Sequence, residues 1–259
     1  ESFLDDSTYD LFSRIVSEPL GHLTEIYPCL STMAALSELH SSFIRVFYSK
    51  KIFKDLLQLL GPVGIVPLEF PLRIIAASAS NWIPLAFSHL CELGVYNIVL
   101  DILENSAVLL SDRCFALNAL SNFLAPKWIE KDPQTFTKYF STFDHKRTFD
   151  TAYHYTQFED EGITKWGYNI LTSLHSNCPG DTLSFTETIE PVLQSFDRVP
   201  LAVQAQKIAY LSCISQDCSS CPLIVKQNQG LQLFSGILIQ SYCPQTGKNE
   251  HSFYVEMSQ

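Results

Sequence analysis

The sequence predicts an all-α protein built from short helical units of similar length. Apolar residues recur at helical spacing along most of the chain, and proline and glycine separate the periodic segments. Leucine-rich helix ends also recur at a near-constant interval: Leu60 and Leu103 lie 43 residues apart, and Leu193 and Leu238 lie 45 apart. A period of roughly 40–47 residues is typical of stacked helical repeats, which share one core because no single unit buries its own apolar face.

The first third of the chain predicts helices that proline and glycine residues interrupt. They are two capping helices within 1–41, one helix over 42–60 ended by Gly61 and Pro62, a small-residue helix over 72–82 that permits close packing, and a short helix over 83–91. Two amphipathic helices joined by a polar turn are then predicted over Gly94–Leu124. Asp112 lies in the first turn of the second of these, where a carboxylate favours the positive end of the helix dipole.

The second half of the chain shows the same periodicity less clearly. Residues 131–149 are aromatic and mixed in charge, and 153–162 is predicted to be an exposed loop or a helix end. Further helices are predicted over 163–176, 181–196, 201–214 and 223–242, and a peripheral tail with a strand-like end over 243–259. We expect residues 1–259 to form one domain.

Two segments resemble a known repeat family. The stretch LCELGVYNIVLDILENSAVLLSDRCFALNALSNFL, residues 90–124, is similar to the second and third helices of an armadillo repeat, with Gly94 opening the second helix. Residues 201–240 resemble a third helix followed by Gly230 and a second helix. The resemblance implies a right-handed α-solenoid of about five armadillo-like repeats, a HEAT-like array. An irregular helical bundle is the alternative.

The resemblance implies a non-enzymatic scaffold or adaptor that binds a partner peptide or helix along its concave face. Repeat alignment places six candidate binding residues on that face: Arg73, Asn118, Asn122, Gln206, Lys207 and Tyr210. Import receptors of the family grip peptides with a ladder of Trp and Asn. Here Asn118 stands at the Trp position, and the later repeat has Ala209 and Cys213 at the two ladder positions, which argues against import-receptor function. A chaperone cofactor on the same scaffold is the alternative function.

Residue patterns that would indicate catalysis or metal binding are weak. The sequence contains no phosphate-binding glycine loop, nucleophile elbow or zinc-protease motif. His154 and Glu159 would support a helical-bundle enzyme only if they converged in a closed pocket. Cys213, Cys218 and Cys221 have part of a zinc-site spacing, but Cys213 falls inside a predicted helix, so we predict no metal and no cofactor.

Composition narrows the class of partner. A formal net charge of −10 argues against direct binding of nucleic acid, which needs clustered Lys and Arg. The eight cysteines lie in apolar periodic segments, a pattern typical of a reducing compartment, and so predict an intracellular protein of the cytoplasm or nucleus. No apolar run reaches the ~18 residues of a membrane span. The sequence begins with Glu1 and not with Met, so we expect it to be a fragment of a longer chain. The sequence predicts no oligomeric state.

Overall fold

A computed structural model describes residues 6–49, 52–60, 66–80, 84–178, 185–195 and 198–215, and every regular element in these ranges is helical. The chain divides into two compact units, Glu1–Cys178 and Pro179–Gln259. The expectation of one domain over 1–259 stays a prediction. The predicted tail over 243–259 and the helix over 223–242 lie outside the described residues.

In the first unit, every third helix belongs to one layer. This third-helix layer consists of α2 (Ile26–Leu39), α5 (Glu69–Ser80), α8 (Leu110–Leu124) and α11 (Glu161–Asn177). Each of these helices packs against the next along the series, α2 on α5, α5 on α8 and α8 on α11. Because the helices that pack together lie about 40–50 residues apart in the sequence, this is the arrangement that a repeat array requires.

The other helices of the first unit complete the repeats. First helices of the repeats are α3 (Ser41–Ser49), α6 (Pro84–Glu92) and α9 (Pro133–Phe140); second helices are α4 (Ile52–Gln58), α7 (Val95–Glu104) and α10 (His145–Tyr155). The helix α1 (Asp6–Ser17) packs on α2 and α4 and precedes a short 3₁₀ helix, Pro19–His22. Equivalent helices of successive repeats are again in contact: α3 packs on α6, α6 on α9 and α7 on α10. Three complete repeats therefore follow a shorter N-terminal one.

The second unit contains a 3₁₀ helix, Phe185–Thr188, then α12 (Ile189–Gln194) and α13 (Leu201–Ser215) among its described residues. Ile189, Val192 and Leu193 of α12 are buried, as are Val203 and Leu211 of α13. In chain order these two helices occupy the places of a second and a third helix. They agree with the predicted helix over 201–214 and with the end of the one predicted over 181–196.

Gly94 sets the sharp turn between α6 and α7. Its φ of +72° lies in the left-handed region, which glycine adopts without strain because it has no Cβ. Gly94 therefore precedes the second helix α7, as the resemblance implied. The pair α7 and α8 also agrees with the prediction of two helices over Gly94–Leu124.

Two segments differ from the predictions. The single helix predicted over 42–60 is two helices, α3 and α4, and the second of them packs on α1. The aromatic region 131–149, for which we predicted no helix, contains α9 and the start of α10. Asp132 and Asp144 cap these helices by accepting hydrogen bonds from the backbone N–H groups of Thr135 and Arg147, at 3.1 and 3.0 Å.

Polar side chains join successive repeats at the ends of the third helices. Trp128 is buried against Phe87, and its Nε1–H donates to the carbonyl of Ala79 near the end of α5 at 3.2 Å. Asn177 Nδ2 donates in the same way to the carbonyl of Leu124, the last residue of α8, at 3.1 Å. The last four carbonyls of a helix lack partners within it, so these bonds stabilise the stack where backbone groups would otherwise be unpaired.

Within the described residues, no single helix is long and apolar enough to cross a membrane. The helices Pro84–Glu92 and Val95–Glu104 meet the length and composition only when they are taken together, and they are bent by 64° relative to each other.

Candidate partner-binding face

The third-helix layer has a surface that is partly open to solvent. On α5 nearly every residue is buried, and only Glu69 and Arg73 are half-buried. On α8 the half-buried residues include Asn118 and Asn122, one helical turn apart. The residues that follow Arg73 on α5 have small side chains that do not project from the helix. Ala76, Ala77 and Ser80 are all buried.

A groove of about 270 Å³ lies on this surface. We call it the inner-layer groove. Its polar lining comes from α2, α5, α8 and the turn after α8, and consists of Glu38, Arg73, Asn118, Asn122 and Lys127. Its small-residue floor consists of Ala76, Ala77 and Ser80. The structure therefore brings together three of the six predicted binding residues, Arg73, Asn118 and Asn122. Whether they bind a partner stays a prediction.

Arg73 connects α2 to α5 through an ion-pair network. Its Nε and Nη2 atoms donate to the two carboxylate oxygens of Glu38, at 2.7 and 2.6 Å, and Nη1 donates to Glu69 Oε1 at 3.1 Å. Its side chain is 27% exposed. The hydrogen bonds from Arg73 to Glu38 raise the pKa of the guanidinium further above its already high value. Arg73 is thus held in place at the edge of the groove and stays charged at any physiological pH.

Asn118 and Asn122 form an ordered amide pair on α8. Asn122 Nδ2 donates to both the backbone carbonyl and the Oδ1 atom of Asn118, each at 3.0 Å. Among the described residues, Asn118 Nδ2 and Asn122 Oδ1 have no partner. The pair therefore presents one donor and one acceptor to the groove, the two functions that a peptide bond can satisfy.

The same register recurs on α11, which sequence reasoning missed. Phe115, Asn118 and Asn122 on α8 have counterparts 51 residues later in Trp166, Asn169 and Ser173, and all six are half-buried. The first helical residues of α8 and α11 are also 51 residues apart. The signal that could have identified this register is the aromatic–Asn spacing of three residues on two successive third helices.

Gln206, Lys207 and Tyr210 lie in the second unit, on α13. Gln206 is half-buried, whereas Lys207 is 1% exposed and Tyr210 is fully buried. Lys207 Nζ donates to the backbone O and the Oγ of Ser195, at 3.1 and 2.8 Å, and the Tyr210 hydroxyl lies 2.7 Å from Thr188 Oγ1. The repeat alignment was therefore wrong to place Lys207 and Tyr210 on an open face, because their side chains are in the core of this unit.

Burial also explains the protonation behaviour of Lys207. Desolvation lowers the pKa of the ammonium group to about 8, since burial disfavours its charged form. The contacts with Ser195 hold the terminal turn of α12 against α13. We assign Lys207 a structural role for this reason.

Among the described residues, no arrangement of side chains supports the catalytic or the metal-binding alternative. His154 and Glu159 are both exposed, and neither lines a described groove. The His154 ring packs edge-on against Phe158, with centroids 5.2 Å apart. Within the described ranges, no group of three metal-ligating side chains occurs; Cys218 and Cys221 lie outside those ranges. These observations leave the inner-layer groove as the candidate site.

The fold and this face define an armadillo-like helical-repeat protein. The structure is similar to that of an engineered protein solved by a structural genomics consortium, with a TM-score of 0.68, 14% identity, and coverage of 93% of this chain and 92% of that one. It is also similar to a designed armadillo repeat protein in complex with the peptide (KR)4, with a TM-score of 0.60, 13% identity, and coverage of 83% and 90%.

The fold class predicted from the sequence is confirmed by this structural similarity. No family model matches the sequence, and a search of curated proteins finds no match.

Proposed function

We propose that this protein is a non-enzymatic scaffold or adaptor that binds an extended peptide or a helix of a partner protein along its third-helix layer. The observation that carries the proposal is the inner-layer groove, in which side chains from three successive third helices meet. A repeat array is suited to this role because consecutive units present equivalent positions at regular intervals, as successive residues of an extended ligand require.

The chemistry of the groove favours recognition of a peptide main chain. Asn118 and Asn122 present a donor and an acceptor side by side, and the floor of small residues permits close approach of a backbone. The ligand side chains that determine sequence specificity would contact Arg73 and Lys127, which also line the groove. An acidic ligand group at Arg73 would compete with Glu38 and Glu69, so the exposed Lys127 is the cation more accessible to it.

The designed armadillo repeat protein that this structure resembles was solved with a bound peptide, which supports peptide binding as a use of the fold. It carries no information on which peptide this chain binds. The net charge of −10 favours a protein partner over nucleic acid.

An intracellular location, in the cytoplasm or nucleus, is part of the same proposal. Burial raises the pKa of the Cys29 and Cys91 thiols to about 12, so both behave as small apolar side chains with little thiolate. Cysteines used in this way are typical of proteins in reducing compartments.

The amide pair provides the test. A peptide is selected from a random dodecapeptide library on the wild-type protein, and its affinity is then measured by fluorescence anisotropy for Asn122→Ala and for Asn97→Ala. Asn97 is an exposed asparagine of the second helix α7 and serves as the matched control. We expect Asn122→Ala to weaken binding about threefold to tenfold, since each net hydrogen bond is worth about 0.5–1.5 kcal/mol.

Thermal unfolding of both variants should stay close to wild type, because Asn122 is half-buried and bonds only within its own helix. Equal affinity of the two variants for the selected peptide would show that the inner-layer groove is not the binding site.

A further inference from the structure

Arg73 has more hydrogen-bond donors than any other residue that lines the inner-layer groove, and only some of them are used within the chain. A guanidinium has five N–H bonds. The Nε and Nη2 atoms each donate one to Glu38, and Nη1 donates one to Glu69. One N–H of Nη1 and one N–H of Nη2 therefore have no partner among the described residues and remain available to a ligand.

The positive charge of Arg73 is more than balanced by its two partners. Glu38 supplies one carboxylate from α2, and Glu69 supplies a second one from the first turn of α5. Two carboxylates and one guanidinium leave a formal charge of −1 on these three residues. A ligand carboxylate at Arg73 would be repelled by both glutamates, whereas an uncharged carbonyl oxygen can accept from the free N–H groups without that repulsion.

Lys127 is the other cation of the groove, and its charge is not balanced in this way. It lies in the turn after α8, its side chain is exposed, and it pairs with no carboxylate among the described residues. The two cations therefore offer a ligand different chemistry. Arg73 offers donors in a locally negative environment, and Lys127 offers a positive charge.

The ion pair of the groove has a close counterpart elsewhere in the first unit. Arg147 Nε and Nη2 donate to the two oxygens of Glu104, at 2.8 and 2.6 Å, and Nη2 also donates to Asp101. The glutamate side chains of the two pairs are both 43% exposed, and the arginine side chains are 27% and 29% exposed. Glu104 lies on α7 and does not line the inner-layer groove. Because exposed ion pairs add little to stability, the two pairs differ mainly in what they lie next to.

We propose that Glu38 is a specificity-determining residue of the inner-layer groove and that it acts through Arg73. By occupying two N–H groups of Arg73, Glu38 excludes acidic ligand residues from this side chain and leaves Arg73 to bind an uncharged carbonyl group of the peptide. A carboxylate of the ligand is bound by Lys127. This inference rests on the proposed function, because it specifies the ligand chemistry of the same groove.

The test uses the peptide selected on the wild-type protein and variants of it in which each uncharged residue is replaced in turn by aspartate. Their affinities are measured by fluorescence anisotropy. At one ligand position we expect aspartate to weaken binding to the wild-type protein by about fivefold or more, because of the two glutamates. The Glu38→Gln variant should bind that aspartate peptide at least as tightly as the parent peptide. Glu104→Gln removes the same charge outside the groove and should leave the penalty unchanged.

Lys127 has its own prediction in the same series. At a second ligand position we expect aspartate to strengthen binding to the wild-type protein by about threefold, as is typical of a partly exposed ion pair. Lys127→Gln should remove this gain and leave the penalty at the first position as it is. A gain that persists in Lys127→Gln would overturn the assignment of the ligand carboxylate to Lys127.

A purely structural role of Glu38 makes a different prediction, since loss of support for the fold would weaken binding of every peptide by the same factor. The proposal is overturned if no ligand position has a penalty that depends on Glu38, or if Glu104→Gln relieves the same penalty. If no peptide can be selected, or if the parent peptide binds Asn122→Ala as tightly as the wild type, the proposed function itself is wrong and this inference is wrong with it. Circular dichroism of each variant establishes that the fold is retained.

Discussion

Gly167 of α11 lies in close contact with the end of α10, and replacing it with alanine has two effects of opposite sign on stability. In a helix interior, Gly→Ala normally stabilises by about 1 kcal/mol because alanine has the higher helix propensity. At this position the new Cβ would lie 3.0 Å from each of three atoms: Ala152 O, Thr156 N and Thr156 Cγ2. Two of these are backbone atoms, which a side-chain rotation cannot move.

The backbone atoms also belong to one hydrogen bond, since Thr156 N–H donates to Ala152 O at 3.1 Å at the end of α10. Relief of the clash must shift α11 away from α10 or break that bond. Overpacking of this kind costs about 1–3 kcal/mol. After the gain in propensity is subtracted, we expect Gly167→Ala to lower the free energy of unfolding by up to about 2 kcal/mol, or Tm by up to roughly 4–8 °C for a unit of this size.

Urea unfolding followed by circular dichroism measures this change, with Gly21→Ala as the control. A Cβ at Gly21 would meet nothing within 4 Å, and its φ is not in the left-handed region, so this variant should be neutral or slightly stabilised. An increase of about 1 kcal/mol for Gly167→Ala would mean that propensity wins. The close packing of α10 on α11, and with it the position of Trp166 and Asn169, would then be refuted.

Two further predictions concern charged groups, one in each unit. Hydrogen bonds from Arg147 hold the pKa of Glu104 below its ordinary value, so this contribution is present at neutral pH and is lost as the pH falls below about 4.3 through the lowered pKa. Arg147→Met should therefore cost about 1 kcal/mol at pH 7 and reduce the loss of stability in acid, measured by urea unfolding from pH 3 to 7; an unchanged acid profile would contradict the pairing. Lys207 has its pKa lowered to about 8, so the unfolded state binds more protons between pH 8 and about 10.4 and stability rises with pH in that window. Lys207→Met should abolish this rise, and a rise that persists in the variant would show that another group causes it.

The central repeat shows how far local sequence carries the prediction. Apolar residues at helical spacing predicted α7 and α8, and Gly94 predicted the turn before them, because these features depend on residues within one or two helical turns. Asn118 and Asn122 were placed on a common face for the same reason, since a spacing of four residues brings side chains to one side of a helix. The convergence of Arg73 with them was an inference from repeat spacing, and the structure shows these side chains lining one groove.

The fourth repeat shows where local pattern fails. The helices α9 and α10 have only 8 and 11 residues, and their large apolar residues are aromatic. Neither helix has a stripe of leucines. Their Asp caps at 132 and 144 were the available signal, and they mark helix starts more reliably than apolar spacing does in so short a segment. On α13 the failure was different. The helix was predicted, but the alignment placed Lys207 and Tyr210 on the concave face, whereas both side chains are buried in the core of the second unit.

The sequence alone determined the helical class, the repeat interval and the helices of the central repeat, because propensity, capping and the 3.6-residue period act over a few neighbouring residues. Tertiary structure decided which polar side chains stay open to solvent and which are buried: the amide pair of Asn118 and Asn122 is half-buried, and Lys207 is buried. The first depends on the approach of helices that lie about 40 residues apart in the sequence, and the second on the approach of α12 to α13. That distance of approach is set by side-chain volumes on both partners together, which no pattern within one helix records.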